Sequence, residues 1–166
     1  MTPALVAHYI ASMEDLSNKT FQNIVRAQLE VLHLEIEERS PVDQLNATLE
    51  RLFDETYQET DLVWAEAWSL GRRRESLAAI LREESDRWLD AFEKIVGMGQ
   101  AQGVFHVKDL KGAAFALLCV IDGSNAHSLV RWGDPIERTA QLESAIENLL
   151  GAKPGTLHRA KHVEAV

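Results

Sequence analysis

Apolar residues recur three and four apart along nearly the whole chain, the spacing of one face of an α-helix. Phe21, Val25, Leu29, Leu32 and Ile36 form one such stripe, which Ile24, Val31 and Leu34 widen. Val42, Leu45, Leu49, Leu52 and Phe53 form a second, and Leu77, Leu81, Trp88, Phe92, Ile95 and Gly99 a third. Ile136, Thr139, Ile146 and Leu150 align in a fourth, and Trp64 and Trp68 stand one helical turn apart. The stretch from Ala113 to Ile121 is apolar almost throughout, as in a helix buried on more than one side. No segment alternates apolar and polar residues between turn signals. The pattern therefore predicts an all-α fold, a helical bundle.

Proline and glycine mark where the helices begin and end. Pro3, Pro41 and Pro135 follow Thr2, Ser40 and Asp134, residues that cap helix N-termini. Proline suits the first helical position, because its missing N–H would have no partner there. Ser12, with Asp15 three residues on, resembles a capping box with a shorter acid. The signals predict a short helix over Pro3–Ile10, then helices over Ser12–Glu38, Pro41–Tyr57, Asp61–Gly71, Glu75–Gln102, Lys108–Arg131 and Pro135–Gly151. Gly103 is placed to stop the fifth of these. The tail, residues 152–166, is small and basic and is expected to be disordered. A very apolar helix followed by an amphipathic one suits a symmetric subunit contact. Leu117, Ile121, Ile136, Ile146 and Leu150 are expected at that homodimer interface.

Composition narrows the function. The 166 residues are 46% hydrophobic and 26% charged, enough apolar material for one sizeable core. The net charge of −9 disfavours a non-specific grip on DNA, where Lys and Arg must neutralise phosphates. The single cysteine, Cys119, has no intramolecular partner and is read as a small buried hydrophobe. The longest apolar run falls far short of the ~20 residues of a membrane span, and no basic-then-apolar leader opens the chain. A cytoplasmic protein without membrane contact is expected. Glu30 and His33 make one Glu-x-x-His, but a di-metal bundle needs two such pairs and two further glutamates, so no metal or other cofactor is expected. With no Gly-rich phosphate loop, no Gly-x-Ser-x-Gly and no cysteine–histidine nucleophile pair, the chain is read as not an enzyme.

The opening stretch carries a family pattern: Thr2-Pro3, small residues, His8-Tyr9-Ile10, a spacer, Ser12-Met13-Glu14, then Leu16. It resembles the recognition helix of TetR-family transcriptional regulators and the start of the helix after it. Further on come Trp64 and Trp68, Arg72-Arg73-Arg74-Glu75, Arg87-Trp88, Gly103-Val104-Phe105 and Ile121-Asp122-Gly123. That succession is similar to the BetI-like branch. The resemblance implies residues 1–11 as the remnant of a helix-turn-helix head, 12–151 as a ligand-binding and dimerisation domain, and the tail beyond. It makes Thr2, His8 and Tyr9 DNA-facing. Set against the family pattern, the two helices that hold a recognition helix in the major groove are expected to be missing from this chain, whether by truncation, start-site error or natural loss, Ile10 replaces an aromatic, and Met13 replaces a lysine. Operator DNA is therefore expected as a partner only in an intact form with the full head. The resemblance further implies a small-molecule effector, and a repressor released by it. Trp64, Trp68, Trp88, Phe92 and Phe115 are the candidate pocket walls, with Asp122, Asn125 and His127 as polar groups and Glu66 nearby; rings around a carboxylate suit a cation. The alternative is a head-less small-molecule binder or heterodimerising antagonist without DNA binding.

Overall fold

The computed structural model describes residues 3–53 and 58–158. Among them are six helices and no strand: α1 (Pro3–Ile36), α2 (Pro41–Phe53), α3 (Gln58–Gly71), α4 (Glu75–Ala101), α5 (Leu110–Leu129) and α6 (Pro135–Leu150). The expected break at Ser12 is not there. No proline or glycine interrupts the chain between Pro3 and Ile36, and Ser12 is exposed inside one continuous 34-residue helix. Asp15, instead of closing a cap, pairs with Lys19 one turn on at 2.8 Å.

α4 is the spine. It packs against α1, α2, α3 and α5, and α5 in turn packs against α6. The main core gathers Leu32 and Ile36 of α1, Leu45 and Leu49 of α2, Phe92 and Val96 of α4, Leu117 and Ile121 of α5, and Ile146 and Leu150 of α6. A smaller cluster of Phe21, Val25, Ala67, Leu77 and Leu81 joins α1 to α3 and α4, and Trp64 touches both clusters. On α1 the widened stripe was too generous: Ile24, Val31 and Leu34 are exposed, because α1 has neighbours on one side only.

Two expectations about the C-terminal helices need correction. Leu117, Ile146 and Leu150 are fully buried and Ile121 nearly so, all within the protomer's own core. A side chain with no surface left cannot bury more against a second copy, so only Ile136, 81% exposed, remains available from the expected interface set. The tail is also not disordered at its start. Leu157 is 3% exposed and packs in the main core; its N–H donates to the Glu147 carboxylate at 2.8 Å, and the His158 N–H donates to the Asn46 side chain. A small-residue composition hid one buried leucine. Residues 159–166 lie outside the described residues.

The caps follow local chemistry. The Asp134 carboxylate accepts from the N–H groups of Ile136 and Glu137 ahead of Pro135, and Gly151 ends α6 with φ +60°. At the end of α4 the Gly99 carbonyl accepts from the N–H groups of Val104 and Phe105, folding the Phe105 ring back over Gly99. A Cβ at Gly99 would sit inside that fully buried ring. Gly99→Ala is accordingly expected to destabilise the fold by about 2 kcal/mol, measured as a lower midpoint in urea.

Candidate functional site

Between α3, α4 and α5, with one residue from each of α1 and α2, the bundle leaves a cavity of about 150 Å³. The helical pitch brings its aromatic walls together. Trp64 and Trp68 lie on one face of α3 with ring centroids 5.8 Å apart, and Phe21 meets Trp64 edge-on at 5.4 Å. Trp88 and Phe92, one turn apart on α4, stack at 5.9 Å on the other side. Leu118, Ile121 and Leu129 of α5 complete the apolar lining.

The polar side chains are few, the Ser85 hydroxyl, the Gln28 and Asn125 amides and the two carboxyls of Asp61 and Asp122, beside the indole N–H groups. Asp61 opens the cavity-facing side of α3, and Asp122 and Asn125 face it from α5. The Asn125 amide donates to the Asp61 carboxylate at 3.1 Å, leaving its own oxygen buried and without a partner. Gln28, from α1, likewise presents a buried side-chain oxygen with no partner. Burial pushes the Asp61 carboxyl up to about 7, with the nearby Asp122 charge adding to the rise. Burial alone pushes Asp122 up to about 6. No Lys, Arg or His is among the described lining residues. Two partly desolvated acids within an aromatic wall make a site that gains from receiving positive charge.

Of the residues that the sequence singled out, Trp64, Trp68, Trp88, Phe92, Asp122 and Asn125 line this cavity. Phe115 and His127 do not: Phe115 is 58% exposed, and His127 lies on the outer face of α5 against Trp132, at 4.7 Å between ring centroids. Glu66 is exposed on α3. Thr2 lies outside the described residues, as do the side chains of His8 and Tyr9. Cys119, expected buried, is exposed. Sequence reasoning missed Asp61 and Gln28, although both carried a signal. Asp61, Trp64 and Trp68 follow the i, i+3, i+7 pitch of one helix face, and Gln28 interrupts the buried stripe of α1 between Val25 and Leu32.

A second, wider groove of about 710 Å³ opens between α1, α2 and α4. It shares Trp88 and Phe92 as a wall, but it mixes Arg26, Arg87 and Lys94 with Glu30, Glu37 and Asp90, and so selects no charge. Among the described residues no three His, Cys, Asp or Glu side chains group to hold a metal ion, and no helix is long and apolar enough to cross a membrane.

Residues 41–151 match the family model described as the BetI-type transcriptional repressor C-terminal domain. The chain belongs to the TetR family of transcriptional regulators. Solved structures show the same fold. A transcriptional regulator from Saccharomonospora viridis, crystallised in complex with choline, superposes with a TM-score of 0.74 at 20% identity, over 89% of this chain and 79% of that one. A TetR regulator from Haloarcula marismortui gives 0.70 at 20% identity, over 90% and 79%. A TetR-family regulator from a Rhodococcus species gives 0.68 at 19% identity, over 78% and 71%. A comparison with curated protein sequences gives no match. In this TetR-family chain the matched segment begins at the first residue of α2 and ends at the cap of α6. It holds every described cavity residue except Gln28, which α1 supplies.

Proposed function

We propose that this chain is the effector-binding and dimerisation part of a TetR-family transcriptional regulator, and that its effector is a small organic cation. The observation that carries the reading is the cavity itself: aromatic walls on α3 and α4 around two aspartates, with no basic residue among the described lining. The choline bound by the Saccharomonospora viridis protein supports the same ligand class. In a form carrying its DNA-binding head, the regulator is a repressor whose two heads meet a palindromic operator in a homodimer. The effector releases it by binding one position of α1 more tightly than another; a ligand with equal affinity for both would shift nothing.

The homodimer contact in this reading uses the outer face of α5 and the start of α6. Phe115, Cys119, Gly123 and His127 recur every four residues along α5, all exposed, and Ile136 at the start of α6 is exposed as well. Their exposure supports this face over the buried residues first expected there.

Calorimetric titration tests the ligand class with choline and with its neutral isostere, in which carbon replaces the nitrogen. The cation is expected to bind at least about ten-fold more tightly, the least that desolvated carboxylates and several rings should give. Equal affinity for the neutral compound would remove charge from the explanation. No binding of any organic cation would remove the cation reading.

A further inference from the structure

Gln28 is 8% exposed, and its side-chain oxygen has no hydrogen-bond partner. Among the described cavity residues it is also the only one from α1. The Asn125 oxygen, on the α5 side, is a second buried acceptor without a partner. Leaving a buried acceptor unpaired is costly, and filling the cavity with a ligand that cannot donate would keep both oxygens unpaired while excluding water. A permethylated ammonium is such a ligand, since it meets rings and carboxylates through charge alone. Two orphaned oxygens on two walls ask for something more.

We infer that the effector carries a hydrogen-bond donor as well as a positive charge, and that Gln28 on α1 accepts that donor. This rests on the cation reading above and adds to it a selectivity and a path. The donor is an N–H on the charged nitrogen or an O–H tethered to it. Either way the ligand is held to the α3–α4–α5 walls by charge and to α1 by one directed bond. The occupied cavity therefore favours whichever position of α1 brings Gln28 within hydrogen-bonding distance. No other described residue of α1 lines the cavity, although Phe21 touches its wall through Trp64.

Two matched pairs of probes test this by calorimetry on the full chain. Tetramethylammonium and tert-butylammonium are isomers of near-equal size, and only the second has N–H donors. Ethyltrimethylammonium and choline differ by one hydroxyl. An N–H ion sheds more hydration on entry, so rings alone would favour the permethylated member; the carboxylates also accept N–H, and the Gln28→Met comparison separates their share from that of Gln28. The expected result is that the donor-bearing member of at least one pair binds about ten-fold more tightly or better. Gln28→Met, close in volume, should erase that preference, bringing the donor-bearing member down to the level of its donor-free partner. The pair that responds identifies whether the donor is N–H or O–H. No preference in either pair overturns the inference and leaves the cation reading standing. A preference that survives in Gln28→Met overturns the role of Gln28. If none of the four ions binds, the cation reading falls and this inference with it. The wild-type ratios decide the donor requirement even if the variant does not fold.

Discussion

The double variant Asp61→Asn with Asp122→Asn is expected to lose organic-cation affinity by about a hundred-fold at pH 8, while its ligand-free form becomes more stable than wild type. Both effects come from the same burial. The two carboxyls titrate at about 7 and about 6 in the fold, against an ordinary value of 3.8 for each. Between about pH 4 and 7 the folded state therefore holds protons that the unfolded chain has released. With more protons on the folded side, stability falls as pH rises through that window, and the loss is complete above it. Replacing both acids by neutral amides removes this penalty, which solvent screening of two groups about a third exposed brings well below the full value of the shifts, to roughly 1–2 kcal/mol. For a chain of this size that is roughly 3–6 °C in melting temperature at pH 8. The wild-type melting temperature should fall from pH 5 to pH 8, and the variant's should be nearly flat. Binding of a cation runs the other way: affinity rises through pH 6–7, and protons are released on binding below pH 7. Calorimetry in buffers of different ionisation enthalpy reads that release directly. A variant with the wild-type pH profile and undiminished affinity would show that the two acids are solvated and unrelated to the ligand.

Leu117→Asp and Ile146→Asp are each expected to unfold the protomer, at a cost above roughly 5 kcal/mol. Both side chains are fully buried. The change removes the aliphatic packing, worth about 2–5 kcal/mol, and places a carboxylate where no partner waits. Ile136→Asp alters a side chain that is 81% exposed and should leave the helix content intact. If α5 and the start of α6 face a second copy, Ile136→Asp gives a folded monomer, whereas the two core variants give unfolded or insoluble protein. Circular dichroism with sedimentation velocity separates these outcomes. A folded, monomeric Leu117→Asp would return that residue to the interface.

These two sets of residues show where the sequence was readable. Helix boundaries were legible wherever a cap spoke for itself. Asp134-Pro135, Ser40-Pro41, Gly103 and Gly151 all stand at real ends, because a first turn needs acceptors and a last turn needs a left-handed residue. Ser12 misled because serine and aspartate at capping spacing are also tolerated inside a helix that nothing else interrupts. α5 was the hard case. Its residues are apolar on every side, so periodicity could not say which side faces inward. Phe115 and His127 were assigned to the cavity and Leu117 and Ile121 to an interface, whereas Phe115 and His127 lie outside and Leu117 and Ile121 inside. Trp64, Trp68, Trp88 and Phe92 were legible as a group because aromatic residues one turn apart share a face. Asp61 was not, because a single acid in the first turn of a helix ordinarily serves the helix dipole in water. Only the packing of α3 against α5, which brings Asp122 and Asn125 across from it, makes Asp61 a cavity residue.

The unbroken length of α1 has a consequence in leverage. Gln28 lies 25 residues from Pro3, about 37 Å along a helix rising 1.5 Å per residue. If the helix stays rigid, a tilt of about 5° pivoted at the level of the cavity carries its first turn sideways by about 3 Å, the length of one hydrogen bond. At the cavity end the same tilt displaces α1 by only about 0.5 Å for each turn from the pivot. The fastenings of α1, Glu14 to Arg74, Asn18 to Ser76 and Arg26 to Glu83 and Glu84, run to the start of α4 and the residue before it. They tie α1 to α4 between Glu14 and Arg26, and the turns beyond Glu14 form the outer arm of the lever. A side-chain adjustment too small to disturb the core would thus be magnified several-fold at the far end of the helix.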